Sequence, residues 1–281
     1  MSVVPELIKA LLYGLVEGIT EWLPVSSTGH LILLERVLPL EVSADFYETF
    51  DVVIQLGAIL AVVVLYLRRL NPLSPSKSAA EKKNAWGLWL RVGVAVVPSA
   101  VAGALLDDWL DAHLFNYVTV AVALAVYGAL FIVIEKRRPD RSATTSEAER
   151  VGLGTALLIG GFQALSLVPG TSRSGATILG AMLLGVSRSA AAEFSFFMAI
   201  PTMLGAGLLK TVKLFSAGVA VTPQEWQILA VGCVSAFLVS LVAIRFLTDF
   251  VKRRGFAVFG WYRIALGALV LLFFGAKGGG I

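Results

Sequence analysis

Long apolar segments follow one another along the chain, separated by short polar stretches. Six of them reach or approach the ~20 residues that span the hydrocarbon core of a bilayer. These segments cover residues 46–67, 86–106, 115–134, 190–209, 226–248 and 256–274. A soluble protein of this size would not place so many apolar segments of membrane length in series. The pattern therefore predicts an all-α polytopic membrane protein.

In each half of the chain, two shorter segments precede three of these spans, and a turn containing proline separates the two. The shorter segments are residues 5–23 and 27–40 in the first half and 151–168 and 175–185 in the second. The turns are similar in sequence, Leu-Pro-Val-Ser-Ser-Thr-Gly around Pro24 and Val-Pro-Gly-Thr-Ser-Arg-Ser-Gly around Pro169. We therefore predict an internal repeat, about 1–138 and about 150–281, within a single membrane domain of residues 1–281.

The number of spans and the loop charges predict how the halves are oriented. If each pair of short segments is a re-entrant hairpin, three spans per half place the halves in inverted topology. Basic residues favour the cytoplasmic side; they cluster after the first, third and fifth spans. They are Arg68, Arg69, Lys77, Lys82, Lys83 and Arg91; Lys136, Arg137, Arg138, Arg141 and Arg150; and Lys252, Arg253 and Arg254. The other loops are acidic or carry few charges, so the linker between the halves is predicted to be cytoplasmic.

The composition excludes several other classes of protein. Hydrophobic residues make up 57 % of the 281 residues and charged residues 15 %, whereas soluble domains contain about 25 % charged residues. The net charge of +4 comes from basic clusters at the ends of apolar segments, so it indicates membrane topology and no nucleic-acid partner. Cys233 is the single cysteine and cannot form a disulfide within one chain.

Two glutamates stand in the first of the shorter segments. Glu17 and Glu21 are four residues apart, so a helix places them on one face, where like charges repel. Charged groups at membrane depth are costly and usually have a partner or a function. A bound cation, a proton held between the carboxylates or a neighbouring arginine would make the pair tolerable. Two glutamates in a wide aqueous vestibule are the structural alternative.

Hydroxyl groups are concentrated in the turn that follows. Ser26, Ser27 and Thr28 lie between a proline and a glycine, a bend in which backbone N–H groups converge at a helix start and favour phosphate. One hydroxyl is enough to cap the next helix, so three indicate a binding site. His30 can accept or donate a proton near neutral pH, although a lone histidine beside apolar residues is more often structural.

Arg173 is the one charged residue of the second turn. Its neighbours are Gly170, Thr171, Ser172 and Ser174. The fork of N–H donors on an arginine suits phosphate oxygens, and an arginine at membrane depth is costly without an anion. The structural alternative is a salt bridge to Glu17 or Glu21 that only locks the two hairpins together. Both can hold, because an arginine that balances carboxylates at rest can bind a diphosphate in the complex.

These residues resemble the two signature motifs of the undecaprenyl-diphosphatase family, also called bacitracin-resistance proteins. The first motif is rich in glutamate and continues into Ser-Ser-Thr-Gly-His, matching residues 17–21 and 26–30. The second, Pro-Gly-x-Ser-Arg-Ser-Gly-Ala-Thr, matches residues 169–177. The resemblance covers nearly the whole chain. It implies removal of the terminal phosphate of undecaprenyl diphosphate in the bacterial plasma membrane, an inverted-repeat fold with re-entrant helices, a site open to the exterior or periplasm, and dependence on a divalent cation.

The resemblance also assigns hypothetical roles to the motif residues. The catalytic set is Glu17, Glu21, Ser27, His30 and Arg173, and the substrate-binding set is Ser26, Thr28, Gly170, Thr171, Ser172 and Ser174. Glu17 and Glu21 would hold Mg²⁺ or Ca²⁺. Ser27 would be the nucleophile, with His30 as general base and then acid. In the alternative, His30 activates water directly and Ser27 only binds phosphate.

Two other functions fit part of the pattern. A secondary transporter or flippase for an anionic lipid or small anion also uses inverted repeats whose broken helices meet near the membrane midplane. Phosphatases of the phosphatidic-acid type share a Ser-Gly-His-like turn and a Ser-Arg pair but need a histidine after that pair, and none follows Arg173. The sequence leaves the oligomeric state open, and a homodimer is one of the states it allows.

Overall fold

Ten α-helices form the fold of the residues that the structure describes. The structure is a computed structural model and describes residues 3–137 and 143–276, so Arg138 and Arg141 of the predicted linker lie outside it. The helices are α1 (Val3–Thr20), α2 (Ser27–Val37), α3 (Ala44–Leu70), α4 (Ala79–Leu114), α5 (Tyr117–Arg137), α6 (Leu153–Ala164), α7 (Arg173–Leu183), α8 (Arg188–Ser216), α9 (Pro223–Arg254) and α10 (Ala257–Ala276). Short 3-10 helices cover Ala148–Arg150 and Leu165–Leu167.

Six helices within the described ranges are long and apolar enough to cross a membrane. They are α3, α4, α5, α8, α9 and α10. Four of them contain a whole predicted span, whereas α5 begins at Tyr117 and α10 at Ala257, two residues and one residue after the predicted starts at 115 and 256. The prediction of an all-α polytopic membrane protein is thereby confirmed. The other four helices are the short pairs, interrupted between Thr20 and Ser27 in the first half and between Ala164 and Arg173 in the second.

Side-chain caps fix where the spanning helices begin. Helix α4 starts with a capping box in which Ser78 and Glu81 bond to each other's backbone N–H groups, and Thr222 and Glu225 form the same box at the start of α9. Each box satisfies two of the N–H groups that a helix start leaves without partners. Single serine caps, Ser43 and Ser187, begin α3 and α8. The sequence therefore sets helix boundaries locally, before any packing is considered.

Glycines bring the first helix of each half close to a spanning helix. A Cβ at Gly14 of α1 would lie 2.3 Å from the backbone oxygen of Gly232 in α9, and a Cβ at Gly160 of α6 would lie 2.0 Å from the backbone oxygen of Ala95 in α4. Only glycine allows these contacts, because any side chain would displace the facing backbone. Helices α1 and α6 are therefore held against α9 and α4.

The short helices α2 and α7 place both turns beside the packed pair α5 and α10. A Cβ at Gly29 would lie 3.3 Å from the side chain of Leu124 in α5 and 3.6 Å from that of Leu266 in α10. Gly170 has a φ of +87° and would bring a Cβ to 2.5 Å from the backbone oxygen of Val120 in α5. The two turns therefore lie within the helical bundle.

A separate ion-pair cluster ties α3 to the second half. Arg69 of α3 donates to both oxygens of Glu149 through Nε and Nη2, at 2.8 and 2.9 Å. Its Nη1 lies 2.9 Å from a carboxylate oxygen of Glu193 in α8. These contacts lie far along the chain from the two turns and involve none of the predicted site residues.

Candidate active site

The two turns share an uncommon backbone conformation at their serine caps. Ser26 has a φ of 74° and Ser172 a φ of 71°, and they are the two non-glycine residues in the described ranges with positive φ. Each serine Oγ accepts the N–H of the glycine three positions later, at 3.3 Å for Gly29 and 3.1 Å for Gly175. Strained backbone of this kind costs of order 1–3 kcal/mol and is concentrated at functional sites. Both turns thus carry the same local mark of a site.

Direct polar contacts join the turns around Glu21. Arg173 donates to Glu21 Oε1 from Nε at 3.3 Å and from Nη2 at 3.1 Å, and its Nη1 donates to the backbone oxygen of Ser195 at 2.9 Å. Ser174 Oγ donates to the backbone oxygen of Glu21 at 2.9 Å. Ser27 Oγ donates to Glu21 Oε2 at 2.8 Å. Residues 152 positions apart in sequence therefore form one cluster.

Glu17 differs from Glu21 because its carboxylate has no hydrogen-bond partner among the residues that the structure describes. Its side chain is fully buried, with 0 % exposure, and neither carboxylate oxygen is bonded. An unpaired buried carboxylate costs several kcal/mol unless it binds a cation or a proton. Glu17 therefore fits a cation ligand, with Glu21 one helical turn away. Within the described ranges, no group of three or more His, Cys, Asp or Glu side chains is arranged to hold a metal, so other ligands would have to come from the substrate or water.

His30 is held at both ring nitrogens. Nδ1 lies 2.7 Å from the backbone oxygen of Ser26, and Nε2 lies 2.7 Å from the hydroxyl of Tyr262 in α10. A carbonyl only accepts, so Nδ1 carries the hydrogen, and the neutral ring accepts the Tyr262 hydroxyl hydrogen at Nε2. The two rings also stack, with centroids 5.6 Å apart. Ser27 bonds to Glu21 in this arrangement and not to His30.

The predicted substrate-binding residues all lie at the two helix starts, but they differ in exposure. Ser26, Thr171 and Ser174 are buried at 1 % exposure or less, whereas Thr28 and Ser172 are partly exposed. Ser172 Oγ and Ser174 Oγ are 3.2 Å apart. The first N–H groups of α2 and α7 have no intrahelical partner, and such groups favour an anion. The structure thus brings every predicted site residue into one neighbourhood.

Known proteins match this chain over most of its length. A family model described as bacitracin resistance protein BacA matches residues 10–269. The chain belongs to the BacA family. It is 53 % identical over 269 residues to a protein of Lactiplantibacillus plantarum named undecaprenyl-diphosphatase, covering 96 % of this chain and 98 % of the relative. Proteins with the same name from Streptococcus thermophilus and Enterococcus faecalis are 55 % and 52 % identical, covering 96 % and 94 % of this chain and 94 % and 95 % of the relatives.

Membership of the BacA family confirms the resemblance that the motifs indicated. The family model includes both turns and all six spanning helices except the last residues of α10. Nothing in these matches supports the transporter hypothesis. The names of the relatives describe an enzyme acting on a lipid diphosphate, which is consistent with a polar cluster enclosed by apolar helices.

Sequence reasoning missed two residues that contact the candidate site, Arg263 and Tyr262 of α10. Arg263 of α10 is fully buried and donates to backbone oxygens of both turns, at 3.1 Å to Pro24 and at 2.9 Å to Gly170 and Thr171. The signal was present, because Arg263 is the single charged residue in the apolar segment 256–274 and a charge inside a span is by default a functional candidate. Tyr262 gave no comparable signal, because its role depends on contact with His30.

Proposed function

We propose that this protein removes the terminal phosphate of undecaprenyl diphosphate and releases undecaprenyl phosphate. The proposal rests on family membership and on relatives named undecaprenyl-diphosphatase that are more than half identical over nearly the full length of the chain. The lipid chain of such a substrate needs an apolar surface, and its head needs a polar pocket. A multi-pass helical protein with a polar cluster between its helices meets both needs.

The observation that carries the proposal is the contact between Arg173 and Glu21. It places a phosphate-binding fork at the start of α7 beside a carboxylate that directly follows the end of α1. The arginine has 10 % and the glutamate 7 % of its side chain exposed, so both charges are largely desolvated and hold each other in place until a stronger anion arrives. A diphosphate head would draw Arg173 away from Glu21. Its oxygens would also accept hydrogen bonds from the first N–H groups of α2 and α7, which lack intrahelical partners.

In our proposed reaction, Ser27 Oγ attacks the terminal phosphorus. A bond forms from this oxygen to phosphorus, the bond from phosphorus to the bridging oxygen breaks, and undecaprenyl phosphate leaves. The Ser27 hydrogen passes to Glu21 Oε2, which accepts it at 2.8 Å. Binding of the diphosphate to Arg173 frees Glu21 Oε1, the oxygen to which Arg173 donates, and leaves Oε2 to take the Ser27 hydrogen.

His30, which the motifs led us to expect as the base for Ser27, would instead serve the second half of the reaction, because the Ser27 hydroxyl donates to Glu21. Water must then attack the phosphorus of phosphoserine 27, the bond from Ser27 Oγ to phosphorus breaks, and inorganic phosphate leaves. Glu21 returns its proton to the Ser27 oxygen, and a base must take the water proton. His30 lies one helical turn after the nucleophile, with Nε2 available once the Tyr262 hydroxyl gives way. The alternative in which His30 activates water directly, with Ser27 only binding phosphate, uses the same residues and differs in whether a phosphoserine forms.

Glu17 and Glu21 would hold a divalent cation, Mg²⁺ or Ca²⁺. The two unpaired oxygens of Glu17 support this assignment, and one or two carboxylates plus phosphate oxygens are a usual Mg²⁺ ligand set. When bound, the cation would neutralise charge on the diphosphate and polarise its oxygens. Glu17 would hold the charge of the cation in a fixed position, because its side chain is fully buried.

The proposal extends to how the protein lies in the bacterial plasma membrane. Three spans per half, each preceded by a short helical pair, support an inverted repeat in one membrane domain with a cytoplasmic linker. The basic loops after α3, α5 and α9 support the cytoplasmic side for those ends. The active site would then open to the periplasm or exterior. A homodimer remains compatible with this arrangement.

The test is phosphate release from undecaprenyl diphosphate by the purified protein in detergent. We expect release by the wild type, loss of at least about a hundredfold in Arg173→Ala, and loss when a chelator is added. Arg245→Ala is the matched control, because Arg245 is exposed on α9, and it should keep wild-type activity. Folded wild-type protein that releases no phosphate would overturn the proposal.

A further inference from the structure

Arg263 is a buried positive charge whose bonds all go to backbone oxygens. It is 0 % exposed, and no carboxylate within the described ranges forms an ion pair with it. Its Nε bonds to the backbone oxygen of Leu124 at 3.4 Å, and its guanidinium centre lies 5.7 Å from the ring centroid of Tyr127. A guanidinium inside a span is costly when no anion balances it. The charge therefore requires an explanation beyond helix packing.

The bonds of Arg263 determine which side of each turn faces the site. They hold the backbone oxygens of Pro24, Gly170 and Thr171. In a trans peptide the N–H points opposite to the C=O, so the amide hydrogens of the following residues are turned away from Arg263. Two of them, at Val25 and Thr171, donate within their own turns to Leu23 and Val168. The third belongs to Ser172, the cap of α7, after which come the first N–H groups of the helix, which lack intrahelical partners. The arginine thus holds acceptors of both turns inward and turns the N–H of the α7 cap away from itself.

Arg263 also bonds to the backbones of both turns at once. Pro24 belongs to the first turn and Gly170 and Thr171 to the second, and these turns approach α10 from different halves of the chain. Its Nη1 would lie 3.1 Å from a Cβ at Gly175, so the guanidinium rests against the first turn of α7. A small displacement of this group would therefore change the spacing between two helix starts.

We propose that Arg263 is a positioning residue that fixes the distance and orientation of the two turns and supplies a permanent positive charge behind their diphosphate-binding N–H groups. This inference rests on the proposed function, because it assumes that the diphosphate head binds at those N–H groups. The substrate's negative charge then balances Arg263 without touching it. The residue acts on the reaction through the backbone of Pro24, Gly170 and Thr171.

Lysine cannot replace arginine in this role. Arg263 makes four backbone bonds from three nitrogen atoms held in one plane, whereas a lysine presents a single nitrogen on a flexible stem. Arg263→Lys keeps the charge and loses the fork. Arg69→Lys is the matched control, because Arg69 also uses a fork of partly buried bonds, to Glu149 and Glu193, neither of which is a predicted site residue.

The experiment measures kcat for undecaprenyl diphosphate, the inhibition constant of inorganic diphosphate, and the melting temperature. For Arg263→Lys we expect kcat to fall about a hundredfold, as reacting groups shift by about 1 Å, and the inhibition constant to rise about tenfold. Arg69→Lys should lower the melting temperature while leaving kcat and the inhibition constant of the folded protein within about twofold of wild type.

Other outcomes separate the inference from the proposed function. Wild-type kcat and inhibition constant in folded Arg263→Lys would overturn the positioning role and leave the proposed function standing. Wild type that releases phosphate but is not inhibited by diphosphate would overturn the placement of the head at the two turns. If Arg263→Lys does not fold, Tyr127→Leu loosens the guanidinium by removing the ring beneath it, and an unchanged inhibition constant there would contradict the inference.

Discussion

The two turns begin alike and differ from the next residue onward. Ser26 and Ser172 have nearly the same φ and cap their helices through the same bond to a glycine N–H. The residue after the cap is Ser27 in the first turn and Arg173 in the second. One turn therefore offers a hydroxyl that can react, and the other a cation that can bind. The shared backbone geometry aims both side chains at the same region.

The short helices that follow the two turns, α2 and α7, also differ in how much of their length is buried. Helix α7 is buried along nearly its whole length from Ser174 to Met182, whereas α2 has buried residues only at Gly29, Leu31 and Ile32. A binding group benefits from rigid, desolvated surroundings, while a nucleophile and a base must be reached by water and substrate. Under the proposed repeat, the second half would supply the binding group and the first half the reacting group.

A third difference between the halves lies in the helix before each turn, α1 in the first half and α6 in the second. Counting back nine residues from each cap gives Glu17 in α1 and Gln163 in α6. Both side chains are buried, at 0 % and 1 % exposure, and both leave carbonyl or carboxylate oxygens unpaired. Gln163 donates through Nε2 to the hydroxyls of Ser99 and Thr202. The first half keeps a charge where the second half has a neutral amide.

Removing the Ser27 hydroxyl should give the largest effect that separates the turns. We expect Ser27→Ala to reduce phosphate release by more than about a thousandfold, because the nucleophile is lost. Inhibition by inorganic diphosphate should stay close to wild type, because the second turn is unchanged. Ser166→Ala is the control, since Ser166 Oγ bonds only to the backbone of Gln163 at 2.7 Å. Full activity in Ser27→Ala would favour direct attack by water.

Removing the charge at Glu17 and adding a charge at Gln163 should change the stability of the protein in opposite directions, with effects of intermediate size. Glu17→Gln removes an unpaired buried charge, so it should stabilise the protein by about 1–3 kcal/mol in metal-free detergent. It should also reduce phosphate release, and the residual activity should be insensitive to chelator. Gln163→Glu adds such a charge and should lower the melting temperature. Thermal unfolding with and without chelator checks both. Equal destabilisation by the two variants would show that Glu17 is already satisfied.

The sequence was sufficient for features that depend on local pattern. The six spans follow from runs of apolar residues, the interruptions from Pro24 and Pro169, and the pairing of Arg173 with a glutamate from the cost of isolated charges in a membrane. The bonds made by Tyr262 and Arg263 could not be predicted in this way. They depend on how α10 approaches turns that lie about 90 and 240 residues away in the chain, which no local pattern encodes.

Replacing the caps themselves should give the smallest effect and the same one in both halves. Glycine accepts positive φ without strain but loses the bond from Oγ, so Ser26→Gly and Ser172→Gly should each change the free energy of unfolding by only a few tenths of a kcal/mol. Alanine loses the bond and keeps the strain, so Ser26→Ala and Ser172→Ala should each cost about 1 kcal/mol or more. Chemical or thermal unfolding of the four variants measures this. A glycine variant as destabilised as its alanine counterpart would mean that the serine hydroxyl, and not the backbone angle, sets the geometry of that turn.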